Sequence, residues 1–311
     1  MAPHYGLLGV PSSAAAHWPG QERAPAALRS AGFPEALRDR GAQVTDHGDL
    51  PVVRWRPDPW QRNPHALDRV LRVLTAANDR IEGILAGGAT PLVLGGECTL
   101  AIALVTAVTR HAYEPPALIY VDGGVDLRTP ADEPSGVLDS MGVAHLVDLP
   151  GADDRLAGFG DRRPMLPPGH VVFVGHNDNP GPDEDALAKL GSLQFRADAV
   201  RADPVAAANA ALLAAQAVAE RFVVHLDVDV INFYELPVAD VPLHDRGISL
   251  DDATTVLATL AAAPNFAGVT ICELNPDHGE PDGSTARTLS TALAQALTRD
   301  QPGTARLSAV S

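Results

Sequence analysis

The chain has 311 residues, 46% of them hydrophobic, which is enough to bury one sizeable core. Its 23 basic and 39 acidic side chains give a formal net charge of −16, and no basic stripe exists to bind nucleic acid. The longest apolar stretch, residues 205–219, is Ala-rich and too short to span a membrane, and we expect no secretory leader. Cys98 and Cys272 do not make a disulfide framework. Free thiols are typical of a reducing, cytoplasmic protein.

Strand-like and helix-like segments alternate almost throughout the chain. The predicted strands cover residues 5–10, 42–45, 91–94, 117–121, 171–174, 222–226 and 268–272. The predicted helices cover residues 25–39, 65–86, 99–110, 205–220, 251–262 and 284–297. Pro-rich or polar stretches at 51–64 and 150–169 are expected to be loops, and the tail from about residue 300 is expected to fray. This alternation predicts an α/β fold, a parallel sheet covered by helices on both faces, in one domain over residues 1–311.

Three predicted strands end in acidic or sulfur side chains. These are Asp122 with Asp126, Asp227 with Asp229, and Glu97 with Cys98. In open α/β sheets, ligands bind in the crevice beyond the carboxyl ends of the strands. Four aspartates in one crevice repel one another unless a cation or protons neutralise them. The sequence therefore predicts a divalent-metal site.

Several motifs, in order, resemble those of the arginase/agmatinase ureohydrolase family. They are residues 8–13 (LGVPSS), 25–29 (PAALR), 47–50 (HGDL), 95–97 (GGE), 122–126 (DGGVD), 129–130 (TP), 135–136 (SG), 227–229 (DVD) and 273–276 (ELNP). The resemblance runs from about residue 5 to about residue 298. It implies a three-layer α/β/α sandwich around an eight-stranded, mainly parallel sheet. It also implies two manganese ions as the usual cofactor and a homo-oligomeric assembly.

Roles follow from the resemblance by position. Asp122 and Asp227 look like the carboxylates that bridge two metals, Asp126 like a further ligand of the first metal, and Asp229 of the second. Hard carboxylate oxygens suit Mn²⁺, and two adjacent ions can activate one water. Glu273 looks like the carboxylate that receives a substrate guanidinium, a planar fork that matches a carboxylate bidentately.

The departures from the family pattern concern the same site. Cys98 stands where histidine is usual, and this softer ligand favours Zn²⁺ or Fe²⁺. Gly124 replaces a second histidine, and Asn232 stands where a further acid is common. Asp139 occupies the place of a histidine that some members use as a proton shuttle. We expect one tightly held metal and a weak or absent second.

Histidines elsewhere could supply the missing nitrogen. Strand alternation puts His225 on the same face as Asp227 and Asp229, although deeper in the strand. It either ligates or orients a ligand, or it is a hydrogen-bonded core histidine. His145, His176 and His278 are expected at loops or helix edges of the same crevice, as ordinary polar residues or as ligands and proton shuttles.

Two functions remain open on these residues. The first is a metal-dependent hydrolase of a C–N bond in a guanidino, amidino or formimino small molecule, with Asp126, Asp139 and Glu273 as catalytic residues. The second is a protein of the same fold with a degenerate metal site, which binds a ligand or partner or does mononuclear chemistry. Gly124 and Asn232 favour the second function, whereas the retained acids favour the first.

Overall fold

A single parallel sheet organises the protein, for which a computed structural model describes residues 2–177, 183–241 and 243–298. Its strands are β1 (His4–Gly9), β2 (Gln43–Asp49), β3 (Thr90–Leu94), β4 (Ala117–Val121), β5 (Val171–Val174), β6 (Leu193–Phe195), β7 (Phe222–Asp227) and β8 (Phe266–Cys272). They pair in parallel in the order β2-β1-β3-β8-β7-β4-β5-β6. β4 and β7 are buried along their whole length, as their unbroken apolar runs predict. The expected eight-stranded sheet is confirmed.

Helices cover both faces of this sheet. They are α1 (Ala24–Ser30), α2 (Phe33–Asp39), α3 (Leu67–Ala86), α4 (Leu100–Ala112), α5 (Gly142–Leu146), α6 (Asp154–Ala157), α7 (Glu184–Leu190), α8 (Ala197–Ala202), α9 (Pro204–Val218), α10 (Leu250–Ala261) and α11 (Ser284–Leu297). The apolar sides of α1, α2, α9, α10 and α11 form one core with the sheet. Those of α3, α4 and α5 form a second core on the opposite face. The three-layer α/β/α sandwich is confirmed.

The structure corrects several predicted elements. The helix expected over 25–39 is two helices, because Gly32 takes a left-handed φ of 81° and Pro34 lies in the first turn of α2. β6, α7 and α8 were not predicted, since β6 is a short edge strand of half-exposed residues that lacks an apolar run. Within the expected loop 150–169, Asp153 caps the short helix α6 through the backbone N–H groups of Arg155 and Leu156. The expected fraying from about residue 300 lies outside the described residues.

Strand order decides where the functional residues meet. β3, β8, β7 and β4 are consecutive neighbours, so the segments that follow them leave the sheet side by side at its carboxyl edge. The described part of the chain contains no helix long and apolar enough to cross a membrane.

Candidate metal centre and substrate cavity

A cavity of about 490 Å³ opens at the carboxyl edge of the four central strands. The acidic side chains in its wall are Asp122, Asp126, Asp139, Asp227, Asp229, Asp240 and Glu273. Cys98 lies in the same wall. The structure thus brings together all the acidic residues and the cysteine that the sequence predicted as ligands or catalytic groups, whereas His145, His176 and His225 do not line the cavity.

Backbone hydrogen bonds hold the Asp227–Asp229 pair. Asp227 ends β7, and its Oδ1 accepts a hydrogen bond from the Asp229 N–H at 2.7 Å. The Gly123 N–H, in the segment after β4, donates to Asp229 Oδ1 at 2.9 Å. A Cβ on Gly123 would lie 2.9 Å from that oxygen, which is too close, so this contact requires glycine. The two strand ends are therefore fixed to each other through their own functional groups.

Asp122 completes a group of three carboxylates. It is 2% exposed, and its Oδ1 accepts a hydrogen bond from the Gly124 N–H. Its Oδ2 is buried without a hydrogen-bond partner among the described residues. One oxygen each of Asp122, Asp227 and Asp229 lie within 4.8 Å of one another, close enough to hold one ion. The pair that the resemblance assigns as bridging is thus together.

Asp126 stands slightly apart from this group. Its backbone has a left-handed φ of 48°, and its Oδ2 accepts a hydrogen bond from the Tyr120 hydroxyl. It lines the cavity but belongs to none of the ligand groups found among the described residues. Its role as a metal ligand stays a prediction.

Cys98 is enclosed by the same acids, at the turn between β3 and α4. Its N–H donates to Asp139 Oδ1 at 2.7 Å. Its sulfur lies 3.1 Å from Asp227 Oδ2 and 3.1 Å from His225 Nε2. Cys98 is therefore placed to be a ligand, as the sequence predicted.

Burial dominates the electrostatics of the site. Loss of solvent, followed by neighbouring carboxylates, raises the pKa of Asp122, Asp227 and Glu273 well above the ordinary range. Burial likewise raises the pKa of Asp229 to about 6 and that of the Cys98 thiol well above its usual value. The site therefore favours neutralisation, and a divalent cation can take the place of the protons.

Glu273 lies in the same wall of the cavity, with one carboxylate oxygen within 4.8 Å of the Cys98 sulfur and of an Asp139 oxygen. It follows β8 directly with a left-handed φ of 69°, and its N–H donates to the Gly96 carbonyl at 2.7 Å. Its Oε2 accepts a hydrogen bond from the Gln21 amide, whereas its buried Oε1 has no partner in the described ranges. Sequence reasoning missed Gln21, because it begins a short 3-10 helix just before α1 that no motif marks.

The remaining histidines separate into different roles. His145 is completely buried, and its ring nitrogens bond the Met141 carbonyl at 2.8 Å and the Asp153 N–H at 3.0 Å. His176 is also buried, with Nε2 3.0 Å from Gln194 Oε1. His278 lines the cavity and bonds Asp240 Oδ1 at 2.5 Å. Asp240 comes from a loop and was not predicted.

Comparison with known proteins agrees with this arrangement. The sequence matches the Arginase family over residues 3–298. The chain belongs to the arginase family. It is 29% identical to arginase-1 of Oryctolagus cuniculus over 304 residues, which cover 94% of this chain and 91% of the relative.

Arginase-family structures share the fold. The native arginase of Bacillus caldovelox superposes with a TM-score of 0.83 at 22% identity, covering 97% of this chain and all of that one (100%). The formimidoylglutamase of Bacillus subtilis superposes with a TM-score of 0.72 at 17% identity, covering 96% of this chain and 88% of that one. These likenesses confirm the predicted fold.

At position 124 this arginase-family chain has no side chain that could bind a metal. A Cβ on Gly124 would lie 3.3 Å from Asp122 Oδ1 and 3.8 Å from Asp126 Oδ1. A side chain there would therefore point at the carboxylates of the site. Because residue 124 is glycine, no side chain at this position can bind a metal held by Asp122 and Asp126.

Proposed function

We propose that this protein is a metal-dependent hydrolase of a C–N bond in a guanidino, amidino or formimino small molecule. The observation that carries the proposal is one cavity that holds both a carboxylate group suited to a divalent ion and Glu273, whose buried Oε1 lacks a hydrogen-bond partner among the described residues. Hydrolysis of an amidine needs a water activated next to the substrate carbon and a group, such as a carboxylate, that binds the amidinium in place. The family and the names of its relatives support the same reaction class.

The residues fit a bound metal. Asp122 Oδ2 is a buried acceptor that no described group satisfies, and the group around it offers hard oxygens with one thiol. Asp122, Asp227 and Asp229, with Cys98 and Asp126, are the side chains we assign as ligands. The metal, Mn²⁺ by family resemblance or a softer ion because of Cys98, supplies an activated water at neutral pH when bound.

The chain's own side chains then position the substrate and move the proton. Glu273 receives the guanidinium or amidinium, with Gln21 fixing one of its two oxygens through a hydrogen bond. Asp139 lines the cavity and accepts a hydrogen bond from the Cys98 N–H. Burial raises the pKa of Asp139, so this carboxyl is suited to hold the proton that the leaving amine takes.

The outer wall indicates the class of substrate. Among the described residues that line the cavity there is no lysine or arginine, whereas Asp240 adds a further carboxylate. Trp18, Phe233 and His244 give aromatic surface at the same wall. Aromatic faces and carboxylates attract cations and repel anions. We infer that the second end of the substrate is an amine or a neutral group, with Asp240, which bonds His278, as its acidic contact.

A substrate screen tests the proposal. Protein loaded separately with Mn²⁺, Zn²⁺ or Co²⁺ is given guanidino, amidino and formimino compounds, and release of urea, ammonia or formamide is measured. We expect turnover that chelation abolishes, and a large rise in KM for E273Q. Binding of these compounds without turnover under any metal would support the degenerate-site alternative instead. The expected homo-oligomer is checked by light scattering.

A further inference from the structure

His225 lies deeper in the sheet than the aspartates, directly behind the cavity wall. It is completely buried on β7, and its Nε2 is 3.1 Å from the Cys98 sulfur. On the other side of the ring, Nδ1 is 2.7 Å from Thr270 Oγ1, on the neighbouring strand β8. The ring stacks on Tyr120 with centroids 4.5 Å apart and planes inclined by 14°. Its position is thus fixed from three directions.

A second group of donors surrounds this ring. Cys98 Sγ, one oxygen of Asp122 and one ring nitrogen of His225 all lie within 4.8 Å of one another. Asp227 Oδ2, 3.1 Å from the same sulfur, adds a fourth donor. Asp122 also carries a buried oxygen, Oδ2, that no described group hydrogen-bonds, which is an independent sign that this side chain binds a ligand.

The two measured contacts of the Cys98 sulfur are close to the donor spacing around a four-coordinate ion. Bonds of about 2.0–2.3 Å from zinc to nitrogen, oxygen and sulfur place tetrahedral donors roughly 3.3–3.7 Å apart. The two 3.1 Å contacts of Cys98 need to widen by only a few tenths of an ångström. Neutral imidazole and thiolate together suit Zn²⁺, Co²⁺ or Fe²⁺ better than Mn²⁺.

We propose that the chain binds its tightest divalent ion in this buried site, through Cys98, His225, Asp122 and Asp227. The proposal rests on the metal dependence proposed above and changes its ligands. An imidazole from within β7 replaces the one that Gly124 cannot supply. Thr270 Oγ1 accepts the Nδ1–H of His225 and so directs the Nε2 lone pair at the ion. Binding displaces the proton of the Cys98 thiol.

Cobalt spectroscopy and metal competition test the site without any substrate. The apoprotein is loaded with Co²⁺, and its visible and near-ultraviolet spectra are recorded for the parent, H225Q, C98S and T270V. H145Q is the matched control, because His145 is an equally buried histidine hydrogen-bonded away from the cavity. We expect intense tetrahedral bands and a thiolate-to-cobalt band in the parent and in H145Q.

The variants have distinct expected results. C98S loses the thiolate band. T270V weakens metal affinity by about 10–100-fold, as for other residues that orient a ligand, and H225Q weakens it further. If H225Q does not fold, as judged by circular dichroism, T270V still tests the role of the ring because it leaves His225 in place.

Three outcomes would overturn the inference. They are weak octahedral bands in the parent, a spectrum of H225Q identical to that of the parent, and preference for Mn²⁺ over Zn²⁺ in competition dialysis. The hydrolase proposal fails separately, when the spectra are as expected but no amidine or guanidine is hydrolysed under any metal.

Discussion

Replacing Asp227 by asparagine removes one negative charge from the centre of the metal site and leaves its shape almost unchanged. The asparagine carbonyl can still accept the hydrogen bond that Asp227 Oδ1 receives from the Asp229 N–H at 2.7 Å. D227N loses a negatively charged metal-ligand oxygen, on the residue that lies next to both the Asp122 and Asp229 carboxylates and the Cys98 sulfur. The variant therefore separates the electrostatic role of Asp227 from its packing.

The expected effects on stability differ between the metal-free and metal-bound protein. Like charges about 4 Å apart repel by roughly 4 kcal/mol at an effective dielectric of 20, an upper bound here because raised pKa values imply partial protonation. Metal-free D227N should therefore be at least as stable as the metal-free parent. At a metal concentration about 100 times Kd, the parent gains about 2.7 kcal/mol, or roughly 4 °C in Tm. D227N should gain almost nothing.

Calorimetric melts with chelator and with Mn²⁺, Zn²⁺ or Co²⁺ measure both effects, and elemental analysis gives the equivalents of metal retained. D39N, a charge removal at an exposed site on α2, is the control and should behave as the parent. Retention of full metal and of the full rise in Tm by D227N would refute the bridging role. An equal loss of stability with and without metal would show that Asp227 only supports the fold.

Four further results are expected. G124H should raise the metal retained after dialysis, because the new imidazole approaches Asp122 and Asp126; unchanged equivalents by elemental analysis would contradict this. D240N should reduce the preference, in kcat/KM, for amine-bearing over carboxylate-bearing guanidino compounds by about tenfold, the worth of one charged hydrogen bond. Burial lowers the pKa of His145, so below about pH 6.5 the unfolded chain binds a proton that the folded protein does not. The free energy of unfolding should therefore fall with decreasing pH, by at most ~1.4 kcal/mol per pH unit from this residue. Denaturant titrations at several pH values should show a smaller dependence on pH for H145Q. F222A removes a fully buried ring from β7 and should lower the free energy of unfolding by about 3–5 kcal/mol, measured by urea titration.

Apolar runs predicted the centre of the sheet, and the same runs predicted the core of the site. β4 and β7 are continuous apolar segments, so their ends, and with them Asp122 and Asp227, could be placed from the sequence. β6 could not be predicted, because a three-residue edge strand buries too little to leave a pattern.

The part of the cavity wall formed by Gln21 and Asp240 could not be predicted, because neither residue belongs to a periodic segment. Gln21 begins a short 3-10 helix and Asp240 comes from a loop, and the path of both segments is set by tertiary packing rather than by periodicity. Alternation along β7 correctly oriented His225 towards the site. It could not show that the Cys98 sulfur, from the turn after β3, lies against the ring. That contact depends on two segments far apart in sequence.

Asp126 and Glu273 both hold left-handed backbone angles, with φ values of 48° and 69°, that only glycine adopts at ease. Each costs the fold about 1–2 kcal/mol relative to glycine. A single base change converts an aspartate or glutamate codon into a glycine codon, so relief of this strain is always one mutation away. Among the described residues, three other non-glycine residues have a left-handed φ, namely Ala66, Tyr113 and Asp148, and none of them lines the cavity. The strain at Asp126 and Glu273 thus lies beside the residues that we assign to metal and substrate binding.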